Sequence, residues 1–503
     1  MKKEKEQAVA KTELKNTGSG IQLNKKTVIG ITILLFAIMI FAGILTQIIP
    51  TGAYDVDADG GIIPGTYHTL AKDEVDYPFW RIFIAPLEVF TNSDALAGVA
   101  IMIFIVLIGG TFLVLDKSGV LKYIMTSVVK KFEKKKYILL MAMCFVCMAL
   151  SSVVGILEES LTLVPLACAI TLALGWDSIV GLGISMVSIG FGYAAATFNP
   201  FNISLVQTMA GLPMFSGLGY RIIVFLAMYA VLVTFIVIYA KRIEKNPEKS
   251  LSYKTDIDLR KKYLSEESDT VLQNPNLGKA TKTFIICILS VFVVTAISFA
   301  AQQMVGDATL ASYISYIPMV AMIILFTAGG LRAGKISGMN GKELAGNFGA
   351  GIKTIAPCIP LILFVLAITY ILKRGMIIDT ILYNIYNAVQ GFGATKSLLI
   401  IFAVVIILEF FIGSGTAKAF LLMPLVLPLA DMLAIERQTI VLAFCLGDGL
   451  CNVLYPTSGL LIIGIGLVNV PYRKYLRFMW PVFLTAFAIA IGFIILAQKI
   501  GYC

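Results

Sequence analysis

Residues 155–165, which read GILEESLTLVP, decide the fold of this chain. Two adjacent carboxylates, Glu158 and Glu159, stand there between long apolar segments. An ionisable side chain at bilayer depth is costly and is by default a hypothesis for a functional site. Because adjacent carboxylates repel each other, we expect a cation or a proton to neutralise them. We expect one carboxylate to face a cavity and the other to cap the helix that follows.

The composition around this stretch is that of a polytopic membrane protein. Of the 503 residues, 58% are hydrophobic and 14% are charged, whereas soluble domains have about 45–50% apolar and about 25% charged residues. Many segments reach the roughly 20 apolar residues that cross a bilayer. The net charge of +10 comes from lysines beside these segments. The sequence shows no basic groove with interleaved aromatic residues, so we predict no nucleic-acid partner.

The charges in the loops orient the chain, because Lys and Arg beside spans mark the cytoplasmic side. Residues 1–27 hold seven lysines and indicate a cytoplasmic tail, and residues 241–282 hold ten Lys or Arg and indicate a cytoplasmic linker. Residues 51–94 carry eight acidic residues against Lys72 and Arg81, so we place this loop outside. We therefore predict a multi-pass protein of the plasma membrane with its N-terminus in the cytoplasm.

The same charges place GILEES at the tip of a hairpin. If residues 137–175 crossed the membrane once, the basic linker 241–282 would lie outside. A re-entrant hairpin that enters and leaves from the cytoplasm places the basic linker on the cytoplasmic side. The following apolar segment is interrupted by ATFNPFN at 196–202, and its proline disrupts helical hydrogen bonding.

The second half of the chain repeats this pattern. Pro424 in GSGTAKAFLLMP follows Pro165 by 259 residues, and Pro471 follows Pro213 by 258. Because both basic segments lie inside, the two halves must have opposite orientations, which is typical of secondary transporters. The predicted parts are the tail 1–27, a first half 28–240 with hairpin 137–175 and broken helix 178–213, the linker 241–282, and a second half 283–500 with hairpin 397–434 and broken helix 437–470.

The two hairpin tips and the two helix breaks predict a binding cavity. Backbone groups at membrane depth must be hydrogen-bonded unless they border protein or a water-filled cavity. Broken helices also direct their terminal dipoles there, which suits a carboxylate on one side and a cation on the other. The candidate substrate-binding residues are Glu158, Glu159, Ser160, Asn199, Asn202, Ser414, Gly415, Thr416, Asp448, Asn452, Thr457 and Ser458.

Three charged residues near the second tip leave two interpretations open. Glu409 and Asp448 could bind a cationic ligand, or could pair with Lys418 or with the backbone. Lys418 could bind a substrate carboxylate or balance a neighbouring charge. The only histidine is His68, in a polar loop, and the chain lacks a Walker loop, a nucleophile elbow and an HExxH motif. We therefore expect no catalytic residues, metal site or cofactor, and no enzyme activity.

The motifs at these tips and breaks resemble a known family. The run GSGTAKAFLLMPLVLPLADMLAIERQTIVLAFCLGDG at 413–449, together with YPTSG, GILEESLTLVP and FNPFN, resembles the C4-dicarboxylate anaerobic carrier-like family of the ion-transporter superfamily. The similarity is closer to the bacterial branch that includes arginine/ornithine antiporters, and it covers about residues 28–498. The resemblance implies an all-α inverted repeat with two re-entrant hairpins and two broken transmembrane helices. It also implies a homodimer and an elevator motion of a transport domain against a scaffold domain.

The predicted charges favour a cationic amino acid as the substrate. Glu158, Glu159, Glu409 and Asp448 outnumber Lys418, and an acidic cavity attracts cations. We therefore expect an antiporter that exchanges arginine for ornithine by alternating access. Ser414, Gly415 and Thr416 at the second tip, together with the helix termini, would hold the α-carboxylate. The alternative is a proton- or cation-coupled carrier of C4-dicarboxylates or peptide-like solutes.

Overall fold

A computed structural model gives the structure of most of the chain. The residues that it describes are 25–56, 62–75, 77–91, 95–257, 272–305, 310, 314, 317–389 and 391–503. Residues 1–24 of the predicted tail and residues 258–271 of the predicted linker lie outside this part of the chain.

The described residues form long helices and one two-stranded antiparallel sheet in the first loop. The sheet pairs β1 (Gly52–Ala53) with β2 (His68–Thr69). The α-helices are, in chain order, α1 (Lys25–Ile48), α2 (Ala85–Glu88), α3 (Ala95–Lys117), α4 (Val120–Phe132), α5 (Lys136–Val154), α6 (Leu163–Ala173), α7 (Ser178–Leu182), α8 (Ser188–Ala194), α9 (Leu205–Met209), α10 (Leu218–Lys245), α11 (Pro275–Met304), α12 (Ile317–Ile336), α13 (Gly341–Ile355), α14 (Ile359–Arg374), α15 (Ile378–Val389), α16 (Ala394–Phe411), α17 (Gly415–Met432), α18 (Arg437–Cys451), α19 (Gly459–Leu467) and α20 (Tyr472–Ile500). Short 3-10 helices lie at Phe79–Phe83, Val89–Thr91, Glu133–Lys135, Glu158–Thr162, Pro247–Lys249 and Ala356–Cys358, and π-helical turns lie at Gly183–Val187 and Pro200–Ser204.

Within the described ranges, nine helical segments are long and apolar enough to cross a membrane. The first is Val28–Ile48 and the last is Tyr472–Ile500. Many of their large apolar side chains are exposed on the surface of the chain, such as Ile33, Ile286 and Leu484. Such a surface needs an apolar solvent. The chain is therefore a multi-pass membrane protein, as the composition predicts.

The helices form two groups that pack against each other. One group contains α1, α3 and α11–α14, which contact one another in pairs. The other contains α5–α10 and α16–α20, with both hairpins and both broken helices. Helix α19 joins the groups because it contacts both α1 and α14. The residues of the predicted site therefore lie in the second group.

The first hairpin returns to the end of the molecule where it starts. Helix α5 has 19 residues and is thus about 28 Å long. The Tyr137 ring at its start lies 5.5 Å from the Trp176 ring, which follows α6. Near the same end, Leu139 packs with Ile170. The return satisfies the parity argument, while its re-entrant placement in a membrane stays a prediction.

The second hairpin is formed by α16 and α17, with both arms packed on the amphipathic helix α15. Its tip is shorter than the sequence suggests, because α17 already begins at Gly415. Ser414 caps that helix by accepting a hydrogen bond from the Ala417 N–H at 3.3 Å. Gly415, Thr416 and Lys418 are therefore in the first turn of a helix and not in a loop.

The two broken helices cross each other in the middle of the second group. An added Cβ atom at Gly449 would lie 2.2 Å from the Ala194 backbone nitrogen, and one at Gly190 would lie 2.6 Å from a Val453 methyl group. These glycines permit backbone contact between α18 and α8. The first break, at 195–199, follows the contact at Ala194, and the second break, at 452–458, includes Val453. The inverted relation between the two halves of the chain stays a prediction.

The start of the linker is docked onto the end of the first hairpin. Asp177 accepts a hydrogen bond from the Ser250 hydroxyl at 2.7 Å. Asp256 accepts bonds from the Ser178 N–H at 2.9 Å, the Ser178 hydroxyl at 2.7 Å and the Ser252 hydroxyl at 2.6 Å. Burial raises the pKa of the Asp256 carboxyl to about 6. Helix α10 extends to Lys245, and α11 begins at Pro275, so both helices reach into the predicted linker.

Candidate functional site

The tip of the first hairpin is a tight, hydrogen-bonded turn. Helix α5 ends at Gly155, whose φ of 81° is in the left-handed region that favours glycine. The Glu159 carboxylate accepts a hydrogen bond from the Leu157 N–H at 3.1 Å. Ser160 is buried and its hydroxyl donates to the Leu157 carbonyl at 2.6 Å. Glu159 and Ser160 therefore support the turn itself. Glu159 lies in the first turn of the 3-10 helix Glu158–Thr162 and binds the N–H of its N-cap residue Leu157, which agrees with the expectation that one glutamate caps the next helix.

Glu158 differs from its neighbour in its contacts. Among the described residues, no side chain hydrogen-bonds to its carboxylate or forms an ion pair with it, and the side chain is half-buried. Leu161, in the same turn, lies 3.6 Å from a Cβ position at Gly464, so the tip packs against α19 beyond the second break. The Glu158 carboxylate can therefore accept a ligand without first releasing a side-chain partner.

The first break is fixed to the hairpin and to the second broken helix. The Thr197 and Phe198 N–H groups donate to the Ser152 carbonyl at 3.0 and 3.1 Å. The Asn199 amide oxygen accepts from the Asn202 N–H at 3.2 Å. Asn199 and Asn202 are both buried. The two asparagines therefore organise the break through this hydrogen bond.

A buried ionic cluster joins the second hairpin to the second broken helix. The Lys418 ammonium lies 2.7 Å from an Asp448 carboxylate oxygen and also forms an ion pair with Glu409. All three side chains are buried. Removing charges from water costs several kcal/mol per ion unless the geometry compensates it. The interpretation in which Lys418 balances its neighbours is therefore the one that the contacts support.

Asn202 and Gly415 extend this cluster toward the tips. The Asn202 amide approaches an Asp448 oxygen at 3.5 Å, and the Cys445 thiol donates to the Asn202 amide oxygen at 3.1 Å. A Cβ atom at Gly415 would lie 3.0 Å from the same carboxylate. Tyr193 is in electrostatic contact with Asp448 and with both glutamates of the first tip. The structure thus brings Glu158, Glu159, Asn202, Gly415 and Asp448 into one neighbourhood.

Other predicted site residues lie at the edge of this neighbourhood. Asn452 is buried and donates to the Asp448 carbonyl at 3.0 Å, within its own helix. Thr457 and Ser458 are buried in the second break. In the described part of the chain, no hydrogen bond joins these two residues to the first break. Thr416 and Ser414 are exposed. The predicted site residues thus differ in their surroundings, since some are buried near Asp448 and others are exposed.

Arg221 is a charged residue of this region that sequence reasoning missed. It lies in the first turns of α10, near the end of a predicted span, where a basic residue is ordinarily an interface anchor. In the structure it is 2% exposed, and its Nη2 donates to the Thr197 carbonyl at 3.3 Å. Its spacing with the buried Val224, Phe225 and Met228 was the available signal, because this spacing marks the core-facing side of a helix.

Comparison with known proteins gives matches along nearly the whole chain. The family described as C4-dicarboxylate anaerobic carrier (DcuC) matches residues 29–499. The chain is 25% identical over 516 residues to a protein of Escherichia coli (strain K12) named "Putative basic amino acid antiporter YfcC", covering 93% of this chain and 96% of that protein. It is also 25% identical over 442 residues to a protein of Haemophilus influenzae (strain ATCC 51907 / DSM 11121 / KW20 / Rd), covering 87% of this chain and 81% of the other.

Two solved structures are also similar to this chain. MtrF of Neisseria gonorrhoeae, which its structure report assigns to a class of antimetabolite efflux pumps, matches with a TM-score of 0.44 and 16% identity, covering 92% of this chain and 94% of MtrF. The YdaH transporter of Alcanivorax borkumensis matches with a TM-score of 0.41 and 16% identity, covering 94% of this chain and 98% of YdaH.

Proposed function

The chain belongs to the C4-dicarboxylate anaerobic carrier family, and from this premise we propose that it exchanges arginine for ornithine by alternating access. Membership confirms the resemblance in the motifs and makes the protein a member of a family of membrane transporters. The observation that carries the choice of substrate is the Glu158 carboxylate, which has no side-chain partner among the described residues, adjoins Glu159 in the chain and shares Tyr193 as a neighbour with Asp448. A relative with 25% identity carries "basic amino acid antiporter" in its name.

In this proposal the cationic side chain of the substrate binds at the first tip. The Glu158 carboxylate accepts the charge-assisted hydrogen bonds of the guanidinium or ammonium group. Glu159 keeps the tip in shape through its bond to the Leu157 N–H. Arginine and ornithine carry equal charge, so their exchange moves no net charge across the membrane. The remaining predicted residues of the breaks and of the second tip, Asn199 and Asn202 among them, shape the site around the substrate.

The transport motion that we propose is an elevator movement of an inverted-repeat homodimer in the plasma membrane. Its transport domain consists of the hairpins and the broken helices, and its scaffold contains α1, α3 and α11–α14. The division is supported by the two groups of helix contacts. The N-terminus lies in the cytoplasm because of its lysines.

A second candidate is a proton- or cation-coupled carrier of C4-dicarboxylates or peptide-like solutes. It is favoured by the buried cations Lys418 and Arg221 and by the description of the family. A dicarboxylate needs more than one cation or donor group. Because Lys418 is already paired with two carboxylates, we place this candidate second.

The test is the affinity for arginine in counterflow into ornithine-loaded liposomes. Glu158→Gln keeps the size of the side chain and removes its charge. We expect its half-saturating arginine concentration to rise about 10- to 100-fold, because a hydrogen bond to a charged group contributes about 1.5–3 kcal/mol. Glu248→Gln, at an exposed position after α10, is the matched control and should leave the affinity unchanged. Equal arginine affinity in both variants would refute the role of Glu158.

A further inference from the structure

The Arg221 guanidinium is a buried cation with incomplete hydrogen bonding. A guanidinium has five N–H donors and no acceptor. One of them reaches the Thr197 carbonyl at 3.3 Å, while Nε and Nη1 have no partner in the described part of the chain. The side chain is only 2% exposed. Most of the hydrogen-bonding capacity of Arg221 is therefore unused.

The charge of Arg221 also lacks an opposite charge. Tyr502 and Cys445 are titratable groups near it, and neither is a carboxylate. Among the described residues, none forms an ion pair with Arg221. A buried charge without a partner is strongly unfavourable, and planar guanidinium groups match carboxylates with two parallel hydrogen bonds. The side chain thus has the chemistry of a carboxylate receptor.

Its position connects this receptor to the proposed site. Arg221 contacts the first break at Thr197. It is also in electrostatic contact with Cys445, whose thiol donates to the Asn202 amide oxygen at 3.1 Å. The same asparagine approaches Asp448 at 3.5 Å. Arg221 is therefore connected to Asp448 through Cys445 and Asn202.

We propose that Arg221 binds the carboxylate of the transported substrate. The inference rests on the proposed function, in which it assigns the carboxylate of the amino acid to Arg221 and the cationic side chain to Glu158. The predicted alternative for the carboxylate, the first turn of α17, is weaker. Ser414 is exposed and already caps its own helix, and Thr416 is exposed as well. The substrate then binds between two groups of opposite charge, neither of which forms an ion pair among the described residues.

The experiment compares arginine with argininamide, in which a neutral amide replaces the carboxylate. Each competes for entry of labelled arginine into ornithine-loaded liposomes that contain the full chain. For the natural sequence, we expect half-inhibition to need about 10- to 100-fold more argininamide than arginine, because charge-assisted hydrogen bonds are lost. Arg221→Gln should bring this ratio near one by weakening arginine alone. Arg221→Lys, which keeps the charge without the planar fork, should give an intermediate ratio.

A purely structural role of Arg221 predicts a different result. Loss of its bond to the Thr197 carbonyl would lower transport of both competitors alike, and the ratio would stay at the natural value. That outcome in Arg221→Gln overturns the inference. If Arg221→Gln does not yield folded protein, an unchanged ratio in Arg221→Lys overturns it as well.

Failure of the proposed function gives a separate signature. If the natural sequence moves neither arginine nor ornithine, the exchange proposal is wrong, and the role of Arg221 is then tested with labelled malate. Weakening of malate entry by about 10- to 100-fold in Arg221→Gln would support a carboxylate receptor. Malate entry that is equal in Arg221→Gln and the natural sequence would overturn the inference.

Discussion

Substitution of Lys418 by methionine should destabilise the protein by leaving two carboxylates buried without their cation. Lys418 is the cation of the cluster with Glu409 and Asp448, and all three side chains are buried. Removing one partner of a buried ion pair costs about 3–5 kcal/mol. Methionine is unbranched like lysine and fills most of the same space. The lost charge, and not a cavity, therefore dominates the effect.

The expected shift in melting temperature follows from the size of the chain. Unfolding entropy is about 2.1 cal/mol/K per residue, which gives roughly 1 kcal/mol/K for this chain and a decrease in Tm of about 3–5 °C. The assay is thermal unfolding of the purified protein in one fixed detergent. Lys396→Met is the matched control, because Lys396 is exposed in the first turn of the same hairpin. A Tm for Lys418→Met within 1 °C of this control would refute the buried cluster.

Two further predictions concern the crossing of the broken helices and the linker. Gly449→Val should greatly reduce the yield of folded protein, because an added Cβ would lie 2.2 Å from the Ala194 nitrogen, whereas Gly459→Ala, with nothing within 4 Å, should not; equal yields on size-exclusion chromatography would contradict the crossing. Burial raises the pKa of Asp256 from 3.8 to about 6, so the folded state binds the extra proton. This contribution to stability is present below the unfolded pKa and is lost as the pH rises through 6. The backbone amides of the segment after α10 should thus be better protected against hydrogen exchange at pH 5 than at pH 8. Asp256→Asn should remove this difference in protection. An equal difference in that variant would contradict the assignment.

The sequence was informative where charged residues or prolines interrupt an apolar segment. Two carboxylates in an apolar run and the parity of the basic segments predict the first hairpin, and in the structure the chain turns back at 155–162. The helix breaks were visible because Pro200 and Pro456 stand beside asparagine, threonine and serine. Each of these signals is read from the sequence without knowing how the helices pack.

The contacts that depend on packing were not predictable in the same way. Glu409 and Asp448 lie 9 residues before and 30 residues after Lys418, so that only the crossing of hairpin and broken helix selects them as partners. Arg221 has the spacing of a core residue but stands at the end of a span, where a surface location is the ordinary expectation. Side-chain orientation at Ser414 and Thr416 likewise follows from the helix start at Gly415.

The measurement that tests the central claim most directly is counterflow into liposomes with the natural sequence. Vesicles are loaded with ornithine, with malate or with buffer alone, and the entry of labelled arginine is followed. The account predicts rapid arginine entry into ornithine-loaded vesicles, and no entry above background in the other two. Entry of malate into malate-loaded vesicles, with no arginine entry under any loading, would contradict the exchange of arginine for ornithine and favour a dicarboxylate carrier.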